Sequence, residues 1–534
     1  MLRLDQIRLP LDHQESDLRE AVSAALQIPV GDIARVELVK RSVDARGRDG
    51  VRFSCLVDVE LTRGEEALRA AGQAPPPDER YRQLDGVRSL DQPPGEGFRP
   101  IVVGSGPCGL FCTLLLARHG WRPLLIERGK AAGERARDVT GFWNRNWPFN
   151  PESNVQYGEG GAGTFSDGKL YTQIKDREHR IRWLLTELVR AGAPEDILTN
   201  GKPHIGTDRL IKVVRQIREE ILSLGGEVRF EARMTKLLTA EGRVTGVVLA
   251  SGETLRTNRV IAAVGHSARD TFVLLREAGV AFEAKPFSLG VRIEHPQGLI
   301  NFAQYGRQAE HPALGAAPYK TVHHAKNGRA AYSFCMCPGG LVVAAASEPG
   351  GLVTNGMSSY ARAEANANSG LMVDVRPEDF DGGSDPLAGI AFQRHWERVA
   401  FELGGSNFHA PVQRVGDFLA GRPSTGLGTV IPSYKPGVTP TDLARCLPDF
   451  VVETLREAIP AMARKLRGYD LPDAVLVGVE TRSSSPVRMP RDAGTLQSIS
   501  LAGFYPAGEG AGYAGGIISA AADGMKIAET ILRE

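Results

Sequence analysis

PIVVGSGPCGLFCTLLLARHGWRPLLIE, residues 100–127, decides the fold of this chain. A short β-branched run leads into the glycine fingerprint Gly104-x-Gly106-x-x-Gly109. An apolar helical stretch follows, and a second apolar run ends in Glu127, 18 residues beyond Gly109. A strand, a glycine turn, a helix, a strand and a terminal acid in this order predict a dinucleotide-binding unit.

Each glycine of the fingerprint has its own physical reason. Gly104 permits the tight turn, Gly106 lets a pyrophosphate approach the backbone, and Gly109 lets the helix pack closely on the strand. The helix N-terminus offers free N–H groups and a partial positive charge to the phosphates. Glu127 is placed to accept hydrogen bonds from ribose hydroxyls, and we assign its neighbour Arg128 to the same site. The alternative is a glycine-rich turn that binds nothing.

The composition is that of an ordinary globular protein. The 534 residues, 42% hydrophobic and 24% charged, are enough for two or three domains. The formal net charge of +1 gives no reason to expect nucleic acid or an anionic membrane as a partner. No apolar run reaches the roughly 18 residues of a membrane span, and the start lacks the apolar region of a secretory signal. Six cysteines in so long a chain are no disulfide framework, so we expect a cytoplasmic location.

The first residues are predicted to form a separate domain. Residues 1–72 read as a strand, a helix and two strands, which indicates a small ferredoxin-like α/β domain. Its basic segment, Lys40 to Arg46, is interpreted as a solvated hairpin, and macromolecular docking through this domain is the alternative. Residues 73–98 are rich in proline and glycine and are predicted to be a linker.

The remaining chain is predicted to form one split domain and one insertion. Residues 99–279 carry the fingerprint, a long amphipathic helix, and a strand, hairpin and strand that end at Gly265, where the chain would turn at the cofactor. Residues 280–500 have a mixed pattern and are predicted to be an inserted α+β substrate domain. Residues 501–534 return with a strand, a glycine turn and a small-residue helix. The expected class is α/β, with a Rossmann-like split FAD-binding domain, because such splitting is typical of flavoproteins.

Several segments carry a family resemblance. The fingerprint, the strand end at Gly265 and the turn around Glu509 resemble the glutathione-reductase-type FAD superfamily. More closely, the chain is similar to an uncharacterised bacterial family of FAD-dependent dehydrogenases. The resemblance implies FAD and leaves the substrate open. The matching segments are YGEGGAGTFSDGKL (157–170), GHSARDTF (265–272), FCMCPGGLVV (334–343), APVQRVGDF (410–418), VETRSSSPVR (479–488) and GEGAGYAGGIISAAADG (508–524).

The resemblance also implies roles for single residues. Gly160, Gly161 and Gly163 match a loop that runs beside the flavin. Gly508 and Glu509 match the turn in which related flavoproteins usually place an aspartate on the ribityl chain. Glutamate departs from that pattern but retains the carboxylate.

The last helix and the glycine-rich loop suggest further contacts. Gly516 and Ile517 open the helix, whose free N–H groups would stabilise negative charge on a reduced flavin. Packing of a small-residue helix against the sheet is compatible with this contact. In the loop, Asp167 and Lys169 are interpreted as a brace; the alternatives are that Lys169 favours an anionic reduced flavin or binds a substrate carboxylate.

Cys335 and Cys337 are the strongest candidates for a redox-active pair in this sequence. Thioredoxin-like motifs and most zinc sites place two residues between the cysteines, whereas this pair has one and precedes a Pro-Gly-Gly turn. We therefore interpret both as buried packing residues beside the site, with a redox pair or metal ligands as alternatives, and predict no metal site. Arg482 and Arg488 could meet an anionic substrate, although structural ion pairs are the commoner role of such residues.

The sequence predicts an enzyme. No second glycine fingerprint follows, so a dedicated NAD(P)H domain is not expected, and NAD(P)H stays open as a transient reductant. We expect an FAD-dependent dehydrogenase or reductase that transfers hydride through a non-covalent flavin on a small organic substrate, and we assign no catalytic residue. The alternatives are a flavin monooxygenase that uses NAD(P)H and oxygen, and an FAD-binding redox sensor or docking protein without turnover.

Overall fold

The architecture comes from a computed structural model that describes residues 1–46, 50–62, 64–65, 74–87, 89–90, 95, 97–380 and 384–534. The predicted boundary between the N-terminal domain and the linker, at residues 72 and 73, lies outside these ranges. None of the helices in this part of the chain combines the length and the apolar character that a membrane crossing requires.

The N-terminal unit is a three-stranded antiparallel sheet with one helix. Its strands alternate apolar and polar residues, and the apolar side is buried with Val22 and Leu26 of the helix. The strand order is β1-β3-β2. Backbone hydrogen bonds between Arg41 and residues 199–201 dock this unit on the next domain. Its elements are β1 (Leu2–Leu9), α1 (Glu15–Leu26), β2 (Ile33–Asp44) and β3 (Arg52–Leu61).

The next domain alternates short buried strands with helices and then forms a β-meander. The stretch EVRFEARMTKLL reads as one strand in the sequence, but a turn at Glu231, with φ of 53°, divides it between two sheets. The elements are β4 (Ile101–Val103), α2 (Pro107–Arg118), β5 (Leu124–Ile126), α3 (Ala132–Arg145), α4 (Arg180–Arg190), α5 (Thr207–Ser223), β6 (Glu227–Arg229), β7 (Met234–Ala240), β8 (Arg243–Leu249), β9 (Thr254–Arg256), β10 (Val260–Ala262) and α6 (Arg269–Glu277).

Residues 283–488 form a second, mainly antiparallel assembly. The elements are β11 (Glu283–Ala284), β12 (Phe287–Pro296), α7 (Gln297–Tyr305), β13 (Val322–His324), β14 (Ala330–Cys337), β15 (Leu341–Ala344), β16 (Thr354–Met357), β17 (Asn366–Val375), α8 (Ala388–Gly404), β18 (Ala410–Arg414), α9 (Val415–Leu419), β19 (Val438–Pro440), α10 (Asp449–Ala463), β20 (Val475–Glu480) and β21 (Val487–Arg488). A seven-stranded sheet has the order β13-β14-β17-β12-β20-β18-β19. Its central strands β12, β17 and β20 are buried along almost their whole length, although β12 and β17 also carry polar residues such as Arg292, Glu294 and Asn368.

The C-terminal segment returns to the fingerprint. It contributes β22 (Phe504–Pro506) and α11 (Ile517–Arg533). The resulting parallel sheet has the order β22-β10-β4-β5-β6, a Rossmann-like arrangement. Helix α11 packs on α2, and a Cβ at Gly524 would lie 2.1 Å from the backbone oxygen of Cys108. Residues distant in the sequence thus complete one nucleotide-binding fold.

Candidate functional site

The fingerprint turn has the geometry that its glycines predict. Gly104 has φ of +101°, a conformation that L side chains rarely adopt, and a Cβ at Gly109 would lie 1.9 Å from the backbone oxygen of Gly104. The first helical hydrogen bond of α2 runs from Leu110 N to Gly106 O at 2.9 Å. The N–H groups before it have no acceptor within the helix, so they can bind a phosphate.

Three glycine-rich segments meet at this turn. A Cβ at Gly161 would lie 3.0 Å from the Cα of Gly106, which brings the loop after residue 157 against the fingerprint. A Cβ at Gly163 would lie 3.2 Å from Cγ1 of Ile517, at the start of α11. The chain therefore brings together segments that lie up to 411 residues apart in sequence, between Gly106 and Ile517.

Bare backbone borders open space next to these contacts. A Cβ at Gly265 or Gly515 would meet no atom within 4 Å, and one at Gly516 would approach only Ser519 Oγ, at 3.9 Å. Gly515 and Gly516 are exposed at the N-terminus of α11. These glycines therefore carry no side chain that would hinder a flat group such as a flavin ring.

Glu127 has a role in the chain that sequence reasoning missed. Its buried Oε2 accepts hydrogen bonds from Ser105 N at 2.9 Å and from Ser105 Oγ at 2.8 Å. Its Oε1 accepts from Gly129 N at 2.9 Å and Gly158 N at 3.0 Å. These bonds use about four acceptor positions of a carboxylate. Glu127 therefore joins the fingerprint to two loops, and a ribose hydroxyl would have to replace a protein donor. The ribose contact stays a prediction.

Arg128 lies beside a cavity at the carboxyl end of β5. Its guanidinium forms ion pairs with Glu152 at 2.9 Å and Asp270 at 2.8 Å, and lies 4.1 Å from the ring centre of Tyr157. The cavity has a volume of about 280 Å³ and is bordered by Arg128 and Arg233, among other residues. The carboxyl ends of parallel strands are where dinucleotides bind in this type of sheet.

Glu509 is a carboxyl group with an unusual pKa. Burial raises this pKa to about 7, against the opposing charge of Lys285. His266 Nε2 lies 3.8 Å from Glu509 Oε1. Burial, with the charges of Arg482 and Arg269, lowers the pKa of His266 to about 3, so this imidazole is neutral at pH 7. The turn after β22 therefore holds one group that can exchange a proton near neutrality.

A buried carboxylate of the second assembly binds two arginines, one from each domain. Arg269 and Arg482 both bind the buried Glu397, at 2.7 and 2.8 Å. The sequence left Arg482 open as a substrate contact, and the structure gives it this ion pair instead. Arg488 is exposed and lies 5.0 Å from the ring centre of Tyr513.

One of the two cysteines of β14 differs from the prediction. Cys337 is buried, as predicted, but Cys335 is exposed and has φ of +42°. The pairing of β14 with β17 shifts register between Phe334 and Cys337, and this bulge turns Cys335 outward. Across the described ranges, no group of three His, Cys, Asp or Glu residues could hold a metal ion.

Lys169 connects the cysteines to the glycine-rich loop. Its Nζ lies 3.8 Å from Cys337 Sγ and 3.1 Å from Asp167 Oδ2. Arg362 Nε also donates to Asp167, at 2.9 Å. Sequence reasoning found the Asp167–Lys169 pair but missed Arg362, because 195 residues separate it from Asp167 and no local pattern marks it.

Three family models match the chain. A model described as "FAD-dependent protein, C-terminal domain-like" matches residues 286–483, an NAD(P)-binding Rossmann-like domain matches 102–158, and a domain of unknown function matches 1–60. An uncharacterized protein of Clostridium beijerinckii is 48% identical over 534 residues, which is 100% of this chain and 99% of that protein.

Two further similarities are weaker. Protein FixC of Escherichia coli is 28% identical over 232 residues, or 41% of this chain and 49% of FixC. Among solved structures, L-proline dehydrogenase from P. horikoshii is similar over 82% of this chain and 94% of that chain, with 12% identity and a TM-score of 0.35.

Proposed function

We propose a function from the premise that this chain belongs to a family of FAD-dependent oxidoreductases, which it shares with the Clostridium beijerinckii protein. FAD is the cofactor. The enzyme is proposed to be a dehydrogenase or reductase of the glutathione-reductase-type superfamily that transfers hydride between a non-covalent flavin and a small organic molecule. The observation that carries this proposal is the meeting of Gly106, Gly161, Gly163 and Ile517 beside open space.

The proposed contacts cover each part of the FAD molecule. The fingerprint and the N-terminus of α2 would hold the pyrophosphate, and the cavity beside Arg128 would take the adenosine end. The turn after β22 would hold the ribityl chain, and the N-terminus of α11 would lie at the ring. The residues proposed are Gly104, Gly106, Gly109, Glu127, Arg128, Gly160, Gly161, Gly163, Gly265, Gly508, Glu509, Gly516 and Ile517.

Backbone N–H groups at the start of α11 and the carboxyl group of Glu509 would assist the reaction. Bound FAD supplies the two-electron chemistry. The N–H groups at residues 516–518 have no acceptor within α11, whose first hydrogen bond is from Ala520 N to Gly516 O at 2.9 Å. With the helix dipole, they would stabilise negative charge placed against them. The Glu509 carboxyl can hold or release a proton near pH 7, because burial raises its pKa.

Anaerobic reduction tests this function. The purified protein is mixed with NADH, NADPH or metabolite pools while the visible flavin absorption is followed. We expect at least one organic donor to bleach the flavin and an acceptor to restore it. A photoreduced flavin that no metabolite or acceptor reoxidises would contradict the proposal and favour a sensor. Oxygen-dependent hydroxylation of a substrate would favour a monooxygenase.

A further inference from the structure

A cationic cluster, defined as Lys169, Lys202 and Arg362, lies beside the glycine-rich loop. Residues 168–170 pair with residues 203–205: Leu170 N donates to Pro203 O at 2.9 Å, and Ile205 N donates to Gly168 O at 3.1 Å. This pairing brings Lys169 and Lys202 to neighbouring segments. Arg362 reaches the same place through its two hydrogen bonds to Asp167.

The cluster carries more positive charge than its carboxylate balances. Asp167 is buried and forms ion pairs with both Lys169 and Arg362. Lys202 is exposed and forms no hydrogen bond or ion pair through its ammonium with any residue that the structure describes. Partial burial and the like charge of Arg362 lower the pKa of Lys202. An arriving anion would relieve this repulsion and give Lys202 a partner.

The neighbouring acids are engaged elsewhere. Asp196 accepts a hydrogen bond from the Tyr360 hydroxyl at 3.2 Å, and Asp208 accepts one from Tyr360 N at 2.8 Å. Arg209 lies 3.5 Å from the centre of the Tyr360 ring and adds a further positive charge on that side. These carboxylates are therefore held at Tyr360, and each has a partner other than Lys202.

The cluster is open to solvent on the side of the cysteine bulge. Tyr171 is 48% exposed and Cys335 is also exposed. Cys335 is two residues from Cys337, whose Sγ lies 3.8 Å from Lys169 Nζ, and Tyr171 follows Lys169 by two residues. Gly163, six residues before Lys169, lies next to the start of α11, since a Cβ there would be 3.2 Å from Cγ1 of Ile517. The cluster and the proposed flavin contact at Gly163 therefore belong to the same glycine-rich loop.

We propose that the cationic cluster binds an anionic group of the substrate, a carboxylate or a phosphate ester. This inference rests on the proposed function, since it assigns a chemical class to the substrate of that site. Lys202 supplies the unpaired charge, and the Asp167 brace holds Lys169 and Arg362 in place. Charge-assisted hydrogen bonds to such an anion are the strong kind.

Calorimetric titration of the FAD-loaded protein tests the proposal, with succinate and inorganic phosphate as separate probes. Lys202→Gln removes one charge without breaking an ion pair of the described chain. Lys236→Gln, at an exposed position of β7, removes the same charge elsewhere. We expect Lys202→Gln to weaken binding of the preferred probe by about tenfold, the effect of one charged hydrogen bond. Lys236→Gln should leave binding unchanged. The preferred probe distinguishes a carboxylate site from a phosphate site.

Two outcomes would overturn the proposal. One is that the wild-type protein binds neither probe, and the other is that both variants weaken binding equally, which would indicate general charge attraction. Failure of the proposed function has a different signature. A protein whose flavin no donor reduces, but which still shows Lys202-dependent binding of an anion, would refute the oxidoreductase and retain the anion site.

Discussion

Glu397→Gln should destabilise the protein strongly, because Glu397 sits between two buried guanidinium groups. Its side chain, on α8, is 1% exposed. It accepts hydrogen bonds from Arg269 at 2.7 and 2.9 Å and from Arg482 at 2.8 and 3.0 Å. Thr481 Oγ1 donates a further bond at 2.7 Å. Arg269 begins α6 of the nucleotide-binding domain, so this carboxylate joins that domain to the second assembly.

The magnitude follows from the charges left behind. Removing one partner of a buried ion pair costs about 3–5 kcal/mol, since the remaining charge stays in a low-dielectric interior. Unfolding entropy of about 2 cal/mol/K per residue gives roughly 1.1 kcal/mol/K for 534 residues. If the chain unfolds as one unit, Tm should therefore fall by about 3–5 °C.

Thermal unfolding followed by circular dichroism at pH 7 measures this change. Glu402→Gln is the control, because it removes a carboxylate from an exposed position of the same helix. A Glu397→Gln variant as stable as Glu402→Gln would refute the reasoning.

The same carboxylate predicts a pH dependence. Burial would raise the pKa of Glu397, but Arg269 and Arg482 hold it well below its usual range. A carboxyl with a depressed pKa contributes its stability above its unfolded pKa of about 4.3 and loses it as the pH falls further. The difference in Tm between wild type and Glu397→Gln should therefore shrink below pH 4.

Three further predictions concern the site. Gly106→Val should lower the FAD content of purified protein more than Glu127→Ala, because a branched side chain would occupy the phosphate position; flavin absorbance per chain checks this. The pKa of Glu509 is raised to about 7 in the folded, FAD-free protein, whereas in the unfolded chain it is about 4.5. Between these two values the folded protein keeps a proton that the unfolded chain releases. The free energy of unfolding should therefore fall as the pH rises towards 7. Glu509→Gln should flatten this fall in a Tm series from pH 5 to 7, and an equal slope in both proteins would contradict it. Cys335 should react with a thiol reagent before the five buried cysteines. Cys335→Ser/Cys337→Ser should abolish that first reaction and retain FAD.

The nucleotide-binding core was predictable because its signals are local. The first strand occupies residues 101–103, α2 begins at Pro107, and β5 ends one residue before Glu127, as the glycine spacing indicates. The division of EVRFEARMTKLL was not predictable, since the turn at Glu231 carries neither glycine nor proline. Two successive apolar runs in a sequence can form one continuous strand or two separate strands. The packing of the surrounding sheets determines which of these forms.

The candidate site was predictable where glycines mark it and not where side chains from distant segments meet. The sequence gives no sign that Glu127 accepts four hydrogen bonds from its own chain, or that Arg362 shares Asp167 with Lys169. The exposed Cys335 depends on a bulge in the pairing of β14 with β17. Register between strands is a tertiary property, so residue spacing alone could not predict it.

Release of the cofactor tests the central claim most directly. The native protein is denatured with acid, the precipitate is removed, and the soluble flavin is identified by chromatography against FAD and FMN. We predict that FAD appears in the supernatant at one equivalent per chain and that the precipitated protein is colourless. Flavin that stays on the precipitate would contradict non-covalent binding, and FMN or no flavin at all would contradict the proposed FAD site.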